Sequence, residues 1–345
     1  MSWIARVLIG VVVVLLLVIG ALAWLFRSQA EEIPDELPTL DDAKVAPADI
    51  TLAGGDIPDL KVADLKGKRA YFVLEDRESM QAGESKDLNR ALARWEMGDD
   101  VVGYAIGDAK GFGVFRSKID EFMGMMRPEM RLPLYIDYDG VFYDTFKLPR
   151  GHTGLVVLGP ESDVLHRHSG PAEADDLETI RGILGAREPE PPPAPDFAVG
   201  DYTKASCEGR VCLFAFLDEA VERADVPGIE GGFDGGREES FKRLAKPSVR
   251  LVGVLAGADD KIDEDKHTAV IVGDLKGFEF RRVATLDAAP EARAAFGVGD
   301  GAALVVIDEK SRLAFKAEGK VAFWQLGLVA DLLGVDLGER DHNEP

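Results

Sequence analysis

Cysteine is almost missing from this chain: Cys207 and Cys212 are the only two in 345 residues. They do not form C-x-x-C, and there is no C-x-x-C-H for haem attachment. H-E-x-x-H is absent, as is a serine nucleophile elbow of the G-x-S-x-G type, so zinc-peptidase and serine-hydrolase chemistry lack their side chains. No Glu/Asp pair stands out by its spacing. Cations are short relative to acids, 40 Lys and Arg against 62 Asp and Glu, for a formal net charge of -22. A surface of that sign repels phosphate backbones and anionic headgroups, which argues against a nucleic-acid partner. Solubility or a salty medium is the plain reading of the acidity. No cofactor is implied by any motif.

One stretch lacks charge altogether. Val7 to Phe26 is an uninterrupted apolar run. At about 1.5 Å per residue its helix would be roughly 30 Å long, the hydrocarbon thickness of a bilayer. It has no polar face of the kind a buried soluble helix shows. The reading adopted is a retained transmembrane helix within 1–27. The alternative is a cleaved signal, since Ala21-Leu22-Ala23 and Ser28-Gln29-Ala30 both offer small-x-small sites. Arg6 and Arg27 flank the run almost evenly, and the body is expected on the extracytoplasmic side, the periplasmic face of the inner membrane if bacterial.

Proline marks the divisions. Residues 28–48 are acidic and Pro-punctuated and read as a spacer, and Arg187–Pro195 (R-E-P-E-P-P-P-A-P) reads as a semi-rigid polyproline strut. The two parts on either side, 49–186 and 196–338, look alike, with 339–345 as a tail. Gly154–Gly185 overlays Ala303–Gly334 without a gap, with identity at Leu155, Val156, Val157, Ser162, Gly170, Leu177, Leu184 and Gly185. Gly67–Leu74 resembles Gly209–Phe216, a Gly-basic turn before a fully apolar strand. Val102–Gly107 (V-G-Y-A-I-G) pairs with Val252–Gly257 (V-G-V-L-A-G) as a third match. In the first copy the order is strand 70–75, helix 84–97, strand 101–106, helix 116–126, strands 155–158 and 163–168, helix 173–184. That alternation gives a three-layer α/β sandwich.

Asp64–Leu74 (D-L-K-G-K-R-A-Y-F-V-L), Leu132–Gly140 (L-P-L-Y-I-D-Y-D-G) and Leu155–Leu165 with Gly170 resemble the thioredoxin-like superfamily in its peroxiredoxin-related branch. With Gly113–Asp120, they make the first copy similar to the YtfJ-type periplasmic subgroup. The resemblance implies an α/β fold of two tandem thioredoxin-like three-layer α/β/α domains after an N-terminal transmembrane helix. It also shows what is missing. Redox-active members place a cysteine just after the first buried strand, at a helix start that lowers the thiol pKa. Glu75–Glu84 and Leu217–Gly228 hold none. Thr153 and Ala302 stand where those folds place a proline, usually cis.

Cys207 and Cys212 flank a short turn. They are expected to form a structural disulfide, with two packed thiols or a redox pair as the other readings. His166 and His168 share one face of a strand and are expected at a solvent-facing edge, with a metal site as the sharper alternative. Met123, Met125, Met126 and Met130 could bind Cu(I). Because Phe122, Met126 and Met130 fall at helical spacing, core packing is the expected role of this stretch. Gly228–Gly236 lacks a phosphate-loop lysine and reads as a flexible insertion or partner-contact loop. The functional expectation is a tethered binding or scaffold module with a protein partner. A dithiol oxidoreductase using Cys207 and Cys212, or a methionine copper carrier, is the alternative.

Overall fold

The computed structural model describes residues 30–34, 36–40, 46–227, 243, 246–287, 290–319 and 321–333. Val7–Phe26 and Gly228–Gly236 lie outside these residues. Among the described residues no helix is long and apolar enough to cross a membrane. The chain divides into one unit of Met1–Gly124 and Leu132–Arg187 and another of Met125–Arg131 and Glu188–Pro345.

The first unit is built on β1 (Arg69–Glu75), a strand with five consecutive buried residues, Ala70 to Leu74. Such a run needs cover on both faces. After it come α1 (Arg77–Ala82), α2 (Lys86–Arg94), β2 (Val101–Asp108), α3 (Arg116–Met126), β3 (Leu134–Asp137) and α4 (Val141–Phe146). β4 (Gly154–Leu158), β5 (Val164–Ser169) and α5 (Ala174–Leu184) close the unit. The sheet order is β3-β2-β1-β4-β5. β1, β2 and β3 are parallel, and β4 and β5 are antiparallel to their neighbours. Alternate residues of β1 divide the core. Tyr71 and Val73 pack under α2 and α5, whereas Phe72 and Leu74 meet α4 and residues 50–62.

The second unit repeats this plan. β6 (Val211–Phe216), α6 (Pro247–Ala258), β7 (His267–Val272), β8 (Val283–Leu286), α7 (Pro290–Phe296), β9 (Ala303–Ile307), β10 (Leu313–Glu318) and α8 (Phe323–Leu332) follow in order. Its sheet runs β8-β7-β6-β9-β10. The likeness extends to detail. Ser162 and Ser311 both take a left-handed backbone in the hairpin turn. Both hairpins shift register at the same place, Val157/Leu158 and Val306/Ile307. Gly67 N–H donates to Pro160 O as Gly209 N–H donates to Glu309 O. The two sheets share one strand order and one set of strand directions.

Three expectations need correction. Val252–Gly257 is not a strand matching Val102–Gly107: it lies inside α6, and the true counterpart of β2 is β7. A short apolar run does not reveal its own period, and here Pro247 opens a twelve-residue helix instead. The helix expected at 84–97 is the shorter α2, Lys86–Arg94, and a further helix, α1, precedes it, parted from it by Gly83 at φ 66°. Within 28–48, the described residues 30–34 and 36–40 are not a free spacer, because Glu31 N–H donates to Arg150 O and Leu37 packs on the core below β1. In the Pro-rich segment, Ala194 N–H donates to Ser311 O and Leu313 N–H to Pro192 O, so 192–194 lies against the β9–β10 turn.

Candidate functional site

The carboxyl end of β1 leads into α1, the stretch in which the resemblance would place a reactive cysteine. Here it holds carboxylates. Asp76 caps α1: its Oδ1 accepts from Ser79 N–H at 2.9 Å while Ser79 Oγ accepts from Asp76 N–H at 3.0 Å. The other oxygen, Oδ2, accepts from Gly151 N–H. Glu84, just past α1, accepts from Thr153 N–H at 2.8 Å and lies 2.9 Å from His152 Nδ1. Two acids, one at each end of α1, thus clamp three consecutive residues of the loop before β4. That loop carries Thr153 in place of the proline, and no peptide bond among the described residues is cis. Thr153 Oγ1 is buried and finds no hydrogen-bond partner among the described residues.

Electrostatics follow from this crowding. Burial pushes Glu75 above the usual carboxylate range, the Ser85 hydroxyl at 2.5 Å pulls it back in part, and Asp76 pushes it up again. Tyr143 donates to His152 O at 2.8 Å. Its phenol is held far above its ordinary value, first by burial and then by Asp76, Glu75 and Glu84. At His152 burial works downward, but the hydrogen bonds to Glu84 and to Glu31 O outweigh it, and the imidazole titrates above its ordinary value.

Glu75 yields a pH prediction. A carboxyl whose folded pKa is raised stabilises the fold below its unfolded value, about 4.3, and that contribution is lost as pH rises through the folded pKa. Glu75→Gln keeps an acceptor for Ser85 and removes the ionisation. Thermal unfolding is expected to show a higher Tm for the variant at pH 7, with the gain shrinking toward pH 4. An equal shift at both pH values would show that burial of the charge is not the cause.

The N-terminal segment lies over this end of the sheet. Gly151 has φ 86°, and a Cβ there would come within 2.2 Å of Ala30 Cα, so glycine is needed twice over. Arg150 gathers the neighbouring loops. Its guanidinium donates to Asp108 at the end of β2, to Asp144 at 2.7 Å and to Gly140 O at 3.2 Å.

The second unit has an aspartate at the same place, Asp218, whose Oδ1 accepts from Ser248 Oγ at 2.6 Å. Beside it Arg293 donates to the carbonyls of Leu217, Gly299 and Gly301. Neither site has a thiol. The two cysteines are joined in a disulfide with Cα atoms 5.7 Å apart, both fully buried. Cys212 lies near the start of β6, so the bridge is at the opposite end of that strand from Asp218.

His166 and His168 share one face of β5, an edge strand of the sheet. They are half-buried beside a groove that Ile33, Leu37 and Leu165 also line, not open to solvent as expected. Burial, with His168 next, lowers the His166 pKa. Among the described residues no group of three or more His, Cys, Asp or Glu is placed to hold a metal. The methionine stretch does not pack in a core. α3 has no buried residue, and Phe122, Met125 and Met130 are exposed. Helical spacing shows only that residues share a face, and the second unit has no helix between β7 and β8 corresponding to α3. The clamp formed by Asp76 and Glu84 had no sequence signal beyond Asp76-x-x-Ser79, the reciprocal cap.

The sequence matches no protein-family model and no curated protein. Solved structures do match. The pneumococcal exposed lipoprotein thioredoxin Etrx1 of Streptococcus pneumoniae is 22% identical over 39% of this chain and 99% of its own, with a TM-score of 0.32. StoA of Bacillus subtilis is 12% identical over 40% of this chain and 96% of its own, TM-score 0.30. Peroxiredoxin Q of Xanthomonas campestris is 15% identical over 44% and 97%, TM-score 0.29.

Proposed function

We propose that this chain is a membrane-tethered, extracytoplasmic pair of thioredoxin-like domains that binds a protein partner and carries out no thiol chemistry. One observation supports it above the rest: where a reactive cysteine would start the first helix, Asp76 and Asp218 stand, each bonded to a serine. The Asp76 carboxylate accepts from the backbone N–H groups of Ser79 and Gly151 and that of Asp218 from the Ser248 hydroxyl, and neither carboxylate offers a thiol or a redox couple. The buried position of Cys207 and Cys212, at the opposite end of β6 from Asp218, supports the same reading. Tethering rests on Val7–Phe26, whose length and lack of charge suit a bilayer.

Thiol titration tests the proposal. In native protein equilibrated with a glutathione buffer, Cys207 and Cys212 are expected to stay oxidised, and to yield two thiols only when reductant is added after unfolding. Two thiols that cycle in the folded protein near the glutathione potential would overturn the proposal in favour of an oxidoreductase.

A further inference from the structure

Loop 109–115 carries the most exposed large apolar side chain among the described residues and runs into the start of α3. Val114 is 87% exposed and Phe115 53%. From Ala109 to Ile119 (A-K-G-F-G-V-F-R-S-K-I) there are three cations, Lys110, Arg116 and Lys118, and no acid, in a chain of net charge -22. Their charge partners are exposed: Lys110 pairs with Asp144, Lys118 with Glu121, and Arg116 with Asp120 at 3.8 Å, the Arg116 guanidinium also lying 4.7 Å from the centre of the Tyr138 ring. Exposed pairs of this kind contribute little and exchange readily. Met80, in α1, is 57% exposed.

Position gives the surface meaning. β2 ends at Asp108, and the loop leaves the carboxyl end of the parallel strands. Arg150 ties that end to the residues beneath Ala30. Ala30 therefore lies at the same end of the first unit as Val114 and Phe115. Only Arg27, Ser28 and Gln29 lie between it and Phe26, the last of the apolar run, and the four Cα–Cα steps reach at most about 14 Å. A domain of this size has a radius of gyration of about 15 Å, so a tether that short lets only the end bearing Ala30 approach the bilayer. The second unit, which has no such tether, runs from β7 to β8 through 273–282 without a counterpart of α3.

We infer that this end of the first unit docks on the bilayer, with Val114 and Phe115 entering the interfacial zone and Lys110, Arg116 and Lys118 facing lipid phosphates. The inference rests on the tethered reading above. Apolar insertion drives the contact, and the cations keep the acidic body from being repelled where it touches.

The full chain, reconstituted in phosphatidylcholine vesicles with and without phosphatidylglycerol, is labelled with an environment-sensitive fluorophore at Val114→Cys. Glu161→Cys is the control. Glu161 is exposed in the β4–β5 turn, at the far end of β1, and the buried disulfide does not compete for label. A spin label carried shallowly on the lipid acyl chain is expected to quench the Val114 probe about threefold more than the Glu161 probe. Equal quenching on protein that floats with the vesicles overturns the docking and leaves the tether standing. A blue shift at Val114 without lipid quenching means protein covers the loop, and also overturns it. Failure to float after carbonate washing overturns the tether, and the docking with it.

Discussion

Phe214→Ala is expected to destabilise the second unit by about 3–5 kcal/mol, a large share of what a domain of this size has. The side chain is fully buried in the middle of β6, a strand covered on both faces. Its ring lies 5.3 Å from Phe197 and 5.4 Å from Phe296, and Phe296 in turn lies 6.1 Å from Phe216. Truncation empties the centre of a four-ring cluster between the sheet, α7 and the segment before β6. The lining belongs to strands and to a helix end, which cannot collapse inward, so the cavity cost adds to the transfer cost. Phe72 occupies the same position in the first unit, 5.1 Å from Phe142. Hydrogen exchange read peptide by peptide checks the prediction: β6, β7 and β9 should lose protection. A loss under 1 kcal/mol would mean the cluster repacks.

What could be read from the sequence and what could not divide along a physical line. Buried central strands announce themselves as unbroken apolar runs, and 70–75 and 155–158 agree with β1 and β4 to within a residue or two. The disulfide was legible because its cysteines are five apart around Gly209. The emptiness of the usual thiol position was legible because it is a matter of residue type. Contacts that join distant segments were not. Nothing near Glu84 in sequence indicates that it would bind Thr153, 69 residues away. Val252–Gly257 misled because valine, alanine and glycine in a short run suit a strand or a buried helix alike. The methionines misled because periodicity says which residues share a face and not what covers it.

The second large effect is expected at a buried ion pair within the second unit. Arg250 on α6 is 2% exposed. Its Nη1 donates to Glu129 Oε2 at 2.7 Å and to Val321 O at 2.6 Å. Glu129 comes from Met125–Arg131, the short segment that belongs to this unit although it lies 121 residues away in sequence. Removing one partner leaves a charge in a site with little water. Glu129→Met is therefore expected to cost about 3–5 kcal/mol. Arg250→Met combined with Glu129→Met should cost much less than the two single changes together, because neither charge is then left alone. Urea unfolding of the four proteins closes the cycle. A coupling under 0.5 kcal/mol would mean that the pair is hydrated, and the argument from burial would fail. A large coupling would make Met125–Arg131 a structural part of the second unit, held there by one guanidinium.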